Sequence, residues 1–338
     1  MPPSPSYRQL SLFPKEIERS INQLRTLGTQ ADIRYVAIHA KQVLNGPEVT
    51  GMGFWSINPY VGCAFGCAYC YARYAHRYVM ERHATADRLD DQLASDMERM
   101  PPWLAFERRI FVKQNAADIL ARTLRDGGER YLPLVQDHSI LIGSATDPYQ
   151  PAERTFRLTR RILEVLANYQ GLRITIITKS PLITRDIDVL KRIMRYSTLR
   201  VHLSLITLDR DLARRIEPRA PTPESRIRAL ERLRKAGIDT GINCMPVLPG
   251  ITDDPAALEA LVKRVAEAGA THISACALRL DRTARLRYFP FLAQEFPELA
   301  ERYQNSYSRG RYVGEKYRQG LSRYMKSLYH KYNVNPGY

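Results

Sequence analysis

Six short apolar runs, most of them separated by segments of helical period, constrain this chain more than any other feature. The runs occupy residues 54–57, 139–143, 172–178, 199–206, 240–247 and 271–277. They have the length and apolar content of buried strands. Segments 157–168, 225–236 and 256–268 instead repeat their apolar residues at helical spacing, the first through Leu158, Ile162, Leu163, Val165 and Leu166. From the second run onward the spacing is roughly 27–40 residues, which fits a strand, a crossover helix and the next parallel strand. Turn signals close several runs: Asp147-Pro148, Ser180-Pro181, Pro246 and Pro249-Gly250. The expected class is α/β, a partial (β/α)6 TIM-like barrel over residues 51–285, with its site at the C-terminal ends of the strands. Residues 1–50, amphipathic over 15–27, are expected to form a leader packed on this core. Residues 286–338 are expected to form a basic, Tyr-rich helical extension. An insertion at 85–136, apolar-periodic over 116–124, separates the first two units.

Composition narrows the class further. A chain of 338 residues with 44% hydrophobic and 25% charged residues can bury a full core and is not of disordered type. No stretch approaches the roughly 20 apolar residues of a membrane span. Met1 to Ser11 lacks the apolar run of a signal peptide, so the expected compartment is the cytoplasm. Fifty-one Lys and Arg against 35 Asp and Glu leave a charge of +16. That excess favours polyanionic partners, nucleic acid above all, unless it is simply a solvated basic surface. In residues 303–338 tyrosines alternate with arginines and lysines. Such tyrosines either stack bases or pack a helical pair with their hydroxyls wet.

Five cysteines, an odd number, argue against a disulfide framework. Three of them stand within Asn58-Pro59-Tyr60-Val61-Gly62-Cys63-Ala64-Phe65-Gly66-Cys67-Ala68-Tyr69-Cys70-Tyr71. Thiolates so spaced can grip an iron–sulfur cube, and three ligands for four irons leave one iron open to a substrate. Gly62 and Gly66 free the backbone to wrap closely. A zinc site would need a fourth ligand from His76, His83 or a remote cysteine. A dithiol pair formed by Cys67 and Cys70 would leave Cys63 surplus.

The cysteine spacing, with an aromatic before the last cysteine, resembles the radical S-adenosylmethionine superfamily. Asn58-Pro-Tyr-x-Gly-Cys, Thr146-Asp-Pro-Tyr-Gln-Pro-x-Glu153, Thr178-Lys-Ser-Pro181 and Glu217-Pro-Arg-Ala-Pro221 are together similar to its spore photoproduct lyase-like branch, also called DNA repair photolyase-like. The likeness runs from about residue 40 to the C-terminus. It implies a 4Fe-4S cluster on Cys63, Cys67 and Cys70, and S-adenosylmethionine chelated to the open iron. An electron donor such as flavodoxin or ferredoxin would supply the reduction. Cleavage of the sulfonium bond would then yield a 5′-deoxyadenosyl radical that abstracts hydrogen from carbon.

Polar residues at strand ends are where a barrel holds its ligands. Gly143, Ser144, Thr146 and Asp147 follow the second run, Lys179 the third, and Ser204 lies near the end of the fourth. Asp147 and the hydroxyls could accept the methionine ammonium, Lys179 could meet its carboxylate, and Ser204 the ribose. The resemblance places Thr146, Lys179 and Ser204 in the cofactor pocket. Arg219 is either a cofactor partner or a loop staple. Tyr69 and Tyr71 match the tyrosine positions of the lyase branch, where tyrosines relay a hydrogen, and Tyr69 could equally shield the cluster or contact adenine. The branch's hydrogen-donating cysteine falls on Ser144, whose O–H is too strong to give a hydrogen atom to a carbon radical. Cys244 and Cys276 are the candidate replacements, each otherwise a small buried hydrophobe.

Three functional readings follow. The first is a radical enzyme acting on a nucleic acid or nucleotide, such as a base lesion. The second keeps the chemistry but takes a peptide or small metabolite. The third is a zinc-stabilised nucleic-acid-binding protein without catalysis.

Overall fold

The computed structural model describes residues 23–50, 53–86, 88–125, 134, 135 and 138–337. Most of the amphipathic leader stretch, 15–22, lies outside them. Among the described residues twelve strands follow in chain order: β1 (Thr26–Gln30), β2 (Ile33–Ile38), β3 (Leu44–Asn45), β4 (Trp55–Ile57), β5 (Tyr60–Val61), β6 (Arg109–Lys113), β7 (Ile140–Ile142), β8 (Arg173–Thr178), β9 (Thr198–Ser204), β10 (Asp239–Val247), β11 (His272–Ala277) and β12 (Asn335–Pro336).

The six apolar runs of the sequence are β4, β7, β8, β9, β10 and β11. They lie side by side in that order, every pair parallel. The crossovers are helices Leu158–Leu166, Ile187–Met194, Pro223–Lys235 and Pro255–Glu267. Two of these start at unambiguous caps. Thr222 and Asp254 accept the amides of Ser225 and Ala257, and Pro223 and Pro255 occupy the first helical turn. Ile57, Ile140, Ile174, Val201, Ile242 and Ile273 bury one face of the sheet against Leu163, Leu190, Leu230 and Leu261 of the helices.

Strand alternation assigns the other face to the barrel interior. On β9 Val201 and Leu203 join the apolar core while His202 and Ser204 point inward; on β10 Ile242 and Cys244 join it while Gly241 and Asn243 point inward. Across β9, β10 and β11 the inward rows are His202, Gly241 and His272, then Ser204, Asn243 and Ser274.

The ends of the sheet hold what periodicity does not show. Residues 26–38 and 109–113 build a second sheet, ordered β1-β2-β6-β5, beside the cysteine loop. β3 pairs antiparallel with β4 at one edge of the main sheet. At the other edge the expected helical extension, which includes Glu315–Lys331, finishes as β12 paired parallel with β11. Among the described residues no helix is long and apolar enough to cross a membrane.

Candidate active site

The cysteine loop leaves β5 and ends in the helical turn Tyr71–Arg73. Its backbone is pinned from three distant segments. The insertion contributes the Phe106 carbonyl, which accepts the Cys63 amide at 2.9 Å. The segment after β7 contributes Gln150, whose Oε1 accepts the Ala64 amide at 2.9 Å and whose Nε2 donates to the Gly62 carbonyl at 3.0 Å. Thr146 Oγ1 donates to the same carbonyl at 2.6 Å. The segment after β9 contributes Ile216, which accepts the Ala68 amide at 2.9 Å, and Arg219, whose Nε donates to the Ala64 carbonyl at 2.6 Å. Gly66 sits at φ +67, where a Cβ would come within 2.7 Å of Arg219 Nη2. Glycine is therefore the residue that lets Arg219 cross the loop.

Cys63, Cys67 and Cys70 all face one cavity of about 420 Å³ at the C-terminal ends of the strands. Gly143, Ser144, Thr146 and Asp147 line it from the end of β7, Lys179 from β8, Ser204 from β9 and Cys276 from β11. Tyr69 and Tyr71 close it from the loop itself. Gly143 has φ +96, and a Cβ there would lie 2.5 Å from the Ile177 carbonyl oxygen, so the β7 turn admits no side chain at this wall.

A buried charge network stands behind the cysteines. Glu217 accepts hydrogen bonds from the Tyr69 hydroxyl and from Arg226, and its carboxylate lies 3.8 Å from Lys179 Nζ. Burial opposes the charge on Glu217, yet Arg226 and Lys179 outweigh it and hold its pKa below the usual carboxylate range. Burial also opposes the charge on Lys179, and Cys67 and Glu217 outweigh that in turn. Burial, reinforced by Glu217, holds the Tyr69 phenol far above its ordinary pKa, so it remains a donor. Burial pushes all three thiols upward, Cys67 to about 12, so an incoming metal must displace their protons.

Comparison with known proteins identifies the family. The family model described as the radical SAM superfamily matches residues 116–265. The chain belongs to the radical S-adenosylmethionine superfamily. The uncharacterized protein Rv2578c of Mycobacterium tuberculosis is 32% identical over 304 residues, 89% of this chain and 82% of that one. The uncharacterized protein MJ0683 of Methanocaldococcus jannaschii is 29% identical over 65% of this chain and 70% of its own. A spore photoproduct lyase mutant with bound AdoMet and dinucleoside spore photoproduct has the same fold. Its TM-score is 0.63 at 16% identity, covering 94% of this chain and 88% of that one.

Membership makes the protein a radical S-adenosylmethionine enzyme and implies that cofactor and an iron–sulfur cluster. The donor set fits both. Three thiols share one wall, and the cavity has the size of a small-molecule site. Among the described residues no three His, Cys, Asp or Glu side chains close on a single ion. His76, considered as a zinc ligand, bonds the Arg109 carbonyl at 2.8 Å and packs on Phe111 instead.

Two of the sequence's candidates stand elsewhere. Cys244 belongs to the apolar core on the helix side of β10 and does not line the cavity, because strand parity turns it away from its neighbour Asn243. Arg219 does not line it either; its Nε bonds the loop at Ala64 and its Nη2 the Glu107 carbonyl at 3.2 Å. Asp147 lines the wall, but its oxygens already accept Thr178 Oγ1, the Lys179 amide and the Tyr149 amide at 2.7, 2.7 and 2.9 Å. Glu217, Arg226, Gln150 and Asn58 are the supporting residues that a search for ligand types passes over. Asn58 accepts the Ala145 amide at 2.8 Å and donates to Ser144 Oγ at 3.0 Å, tying the start of the loop to the end of β7.

Proposed function

We propose that the protein is a 4Fe-4S radical S-adenosylmethionine enzyme of the spore photoproduct lyase-like branch, acting on a nucleic acid or nucleotide. The observation that carries this is the single cavity where the three thiols meet the polar ends of β7, β8 and β9. When bound, the cluster and cofactor supply one-electron cleavage that ends in hydrogen abstraction from carbon. The chain's own residues hold, orient and shield. Cys63, Cys67 and Cys70 hold three irons. Lys179, cationic and facing the cavity, orients the methionine carboxylate, while Thr146 and Gly143 shape the wall around it. Ser204, beside Lys179 at the end of the neighbouring strand, faces the ribose.

Cys276 is the hydrogen donor in this reading. It lines the cavity, the residue is exposed there, and desolvation raises its pKa above the ordinary thiol value. Tyr71, whose hydroxyl donates to the Ser144 carbonyl, and Tyr69 stand on the same cavity as relay candidates. The charge of +16 supports a polyanionic substrate. The chemistry calls for a one-electron donor such as flavodoxin or ferredoxin, and five free cysteines suit the reducing cytoplasm.

Anaerobic reconstitution tests the reading. Brown protein with about four irons per chain, forming 5′-deoxyadenosine under dithionite, is the expected result. Substrate deuterium should appear in that product when lesion-bearing DNA is supplied. Cofactor cleavage without any nucleic-acid affinity at low salt would shift the substrate to a peptide or small metabolite. Colourless protein holding one zinc would overturn the enzyme.

A further inference from the structure

The tail tyrosines divide sharply. Tyr303 and Tyr307 are buried, with hydroxyls donated to the carbonyls of Pro249 and Leu278 at 2.7 and 2.9 Å. Tyr317, Tyr324 and Tyr332 bond Asp253, the Pro255 carbonyl and Glu259 at 2.8, 2.8 and 2.7 Å. These are packing residues. Tyr312 is different, because 43% of it is exposed and three guanidinium carbons stand about its ring. Arg311 lies at 5.2 Å, Arg318 at 5.4 Å and Arg279 at 5.9 Å from the centroid.

Among the described residues none of these three arginines forms an ion pair. Three like charges drawn to one ring repel each other, and a cation–π contact returns only about 0.5–1 kcal/mol at an exposed site. A merely solvated basic face would let such side chains spread. The backbone instead holds them together, since Arg279 and Tyr312 form an antiparallel bridge and the Leu280 amide donates to the Arg311 carbonyl at 2.9 Å. Arg285 clamps the preceding turn through the Tyr307 carbonyl at 2.8 Å. The patch adjoins the reaction site, because Arg279 also lines the cysteine cavity. On its outer side it opens into a surface hollow of about 660 Å³. The acid of that hollow, Glu315, accepts from Gln319 at 2.9 Å and pairs with none of the three arginines.

We infer that Tyr312, with Arg279, Arg311 and Arg318, is a docking platform for a single-stranded nucleic-acid segment, leading the strand to the cavity mouth. A base stacks on the open part of the Tyr312 ring while Arg311 and Arg318 take the flanking phosphates, the pairing of aromatic and cation that sequence-tolerant strand binding uses. Arg279 sits at the border between platform and cavity. This rests on the nucleic-acid reading above and names the surface that reading lacks.

Fluorescence anisotropy of the full chain with a labelled oligothymidine single strand, titrated over a range of salt, tests it. R311A/R318A should lower the slope of log K against log salt by about 1.4, the loss of two phosphate contacts on a single strand. Y312A should weaken binding roughly tenfold and Y312F hardly at all, because stacking needs the ring and not the hydroxyl. Melting curves matching wild type certify that each variant is folded. Wild type that binds the strand while R311A/R318A and Y312A bind it equally well overturns the platform and leaves the substrate class standing. Wild type that binds no strand at low salt overturns the substrate class itself. Polyglutamate competing as well as the strand would reduce the patch to an unselective cationic surface and overturn the assignment.

Discussion

Glu217 is the residue on which the cysteine wall leans, since it joins buried Tyr69 and Arg226 to Lys179 at the cavity wall. Removing one member of a buried ionic set strands the others, at a cost of about 3–5 kcal/mol. E217A should therefore lower urea-unfolding stability by that order, with E217Q losing less because it still accepts hydrogen bonds. Equal stability of E217A and wild type would refute the network. The sequence offers Glu217 only as the head of the Glu217-Pro-Arg-Ala-Pro221 motif and not its role, because a buried acid has no periodic signature and its partner Arg226 reads as the wet face of a helix. Cys244 and Cys276 were equally opaque. Each was legible as a strand residue, but which face it takes depends on a register that only the pairing of β9, β10 and β11 settles. C276A should still form 5′-deoxyadenosine while returning little hydrogen to substrate, measured as product per cofactor cleaved. C244A should match wild type in that ratio. Equal ratios for both variants would remove Cys276 from the relay.

At the level of elements the six parallel strands were readable to within a few residues, because apolar runs and helical segments alternate so regularly. β1, β2, β6 and β12 were not. They sit in segments without clean alternation, and owe their pairing to one another or to an edge of the main sheet. The same pairing explains Gly241, which lies between His202 and His272 in the inward row. A Cβ there would stand 2.1 Å from the His272 carbonyl oxygen and 2.5 Å from its ring. G241A should force β10 and β11 apart and cost about 1–3 kcal/mol, as overpacking does, read as a lowered urea midpoint. Wild-type stability in G241A would mean that the two strands tolerate more space than their pairing implies.

For the whole molecule, acid sensitivity follows from buried histidines. Burial lowers the pKa of His76 to about 4 and of His202 to about 3. Both are neutral in the folded protein at pH 6, while in the unfolded chain they begin to take protons below about 6.5. Unfolding therefore takes up protons as the pH falls. Stability should be full above about 6.5 and then decline by up to about 1.4 kcal/mol per pH unit for each histidine until their folded values are reached. Urea titrations at pH 7, 6 and 5 would show this, and a flat profile would contradict it. The charge of +16 was legible from composition alone; where it gathers was not, since Arg279 and Tyr312 are 33 residues apart and are brought together by a backbone bridge.

The hydrogen bonds that shape the cysteine loop run from polypeptide to polypeptide, through Gln150, Thr146, Arg219 and the Phe106 carbonyl. Each of those bonds is anchored in a different stretch of the chain, so a fault at Gln150, Thr146 or Arg219, remote in sequence from the cysteines, would be felt as a misplaced sulfur.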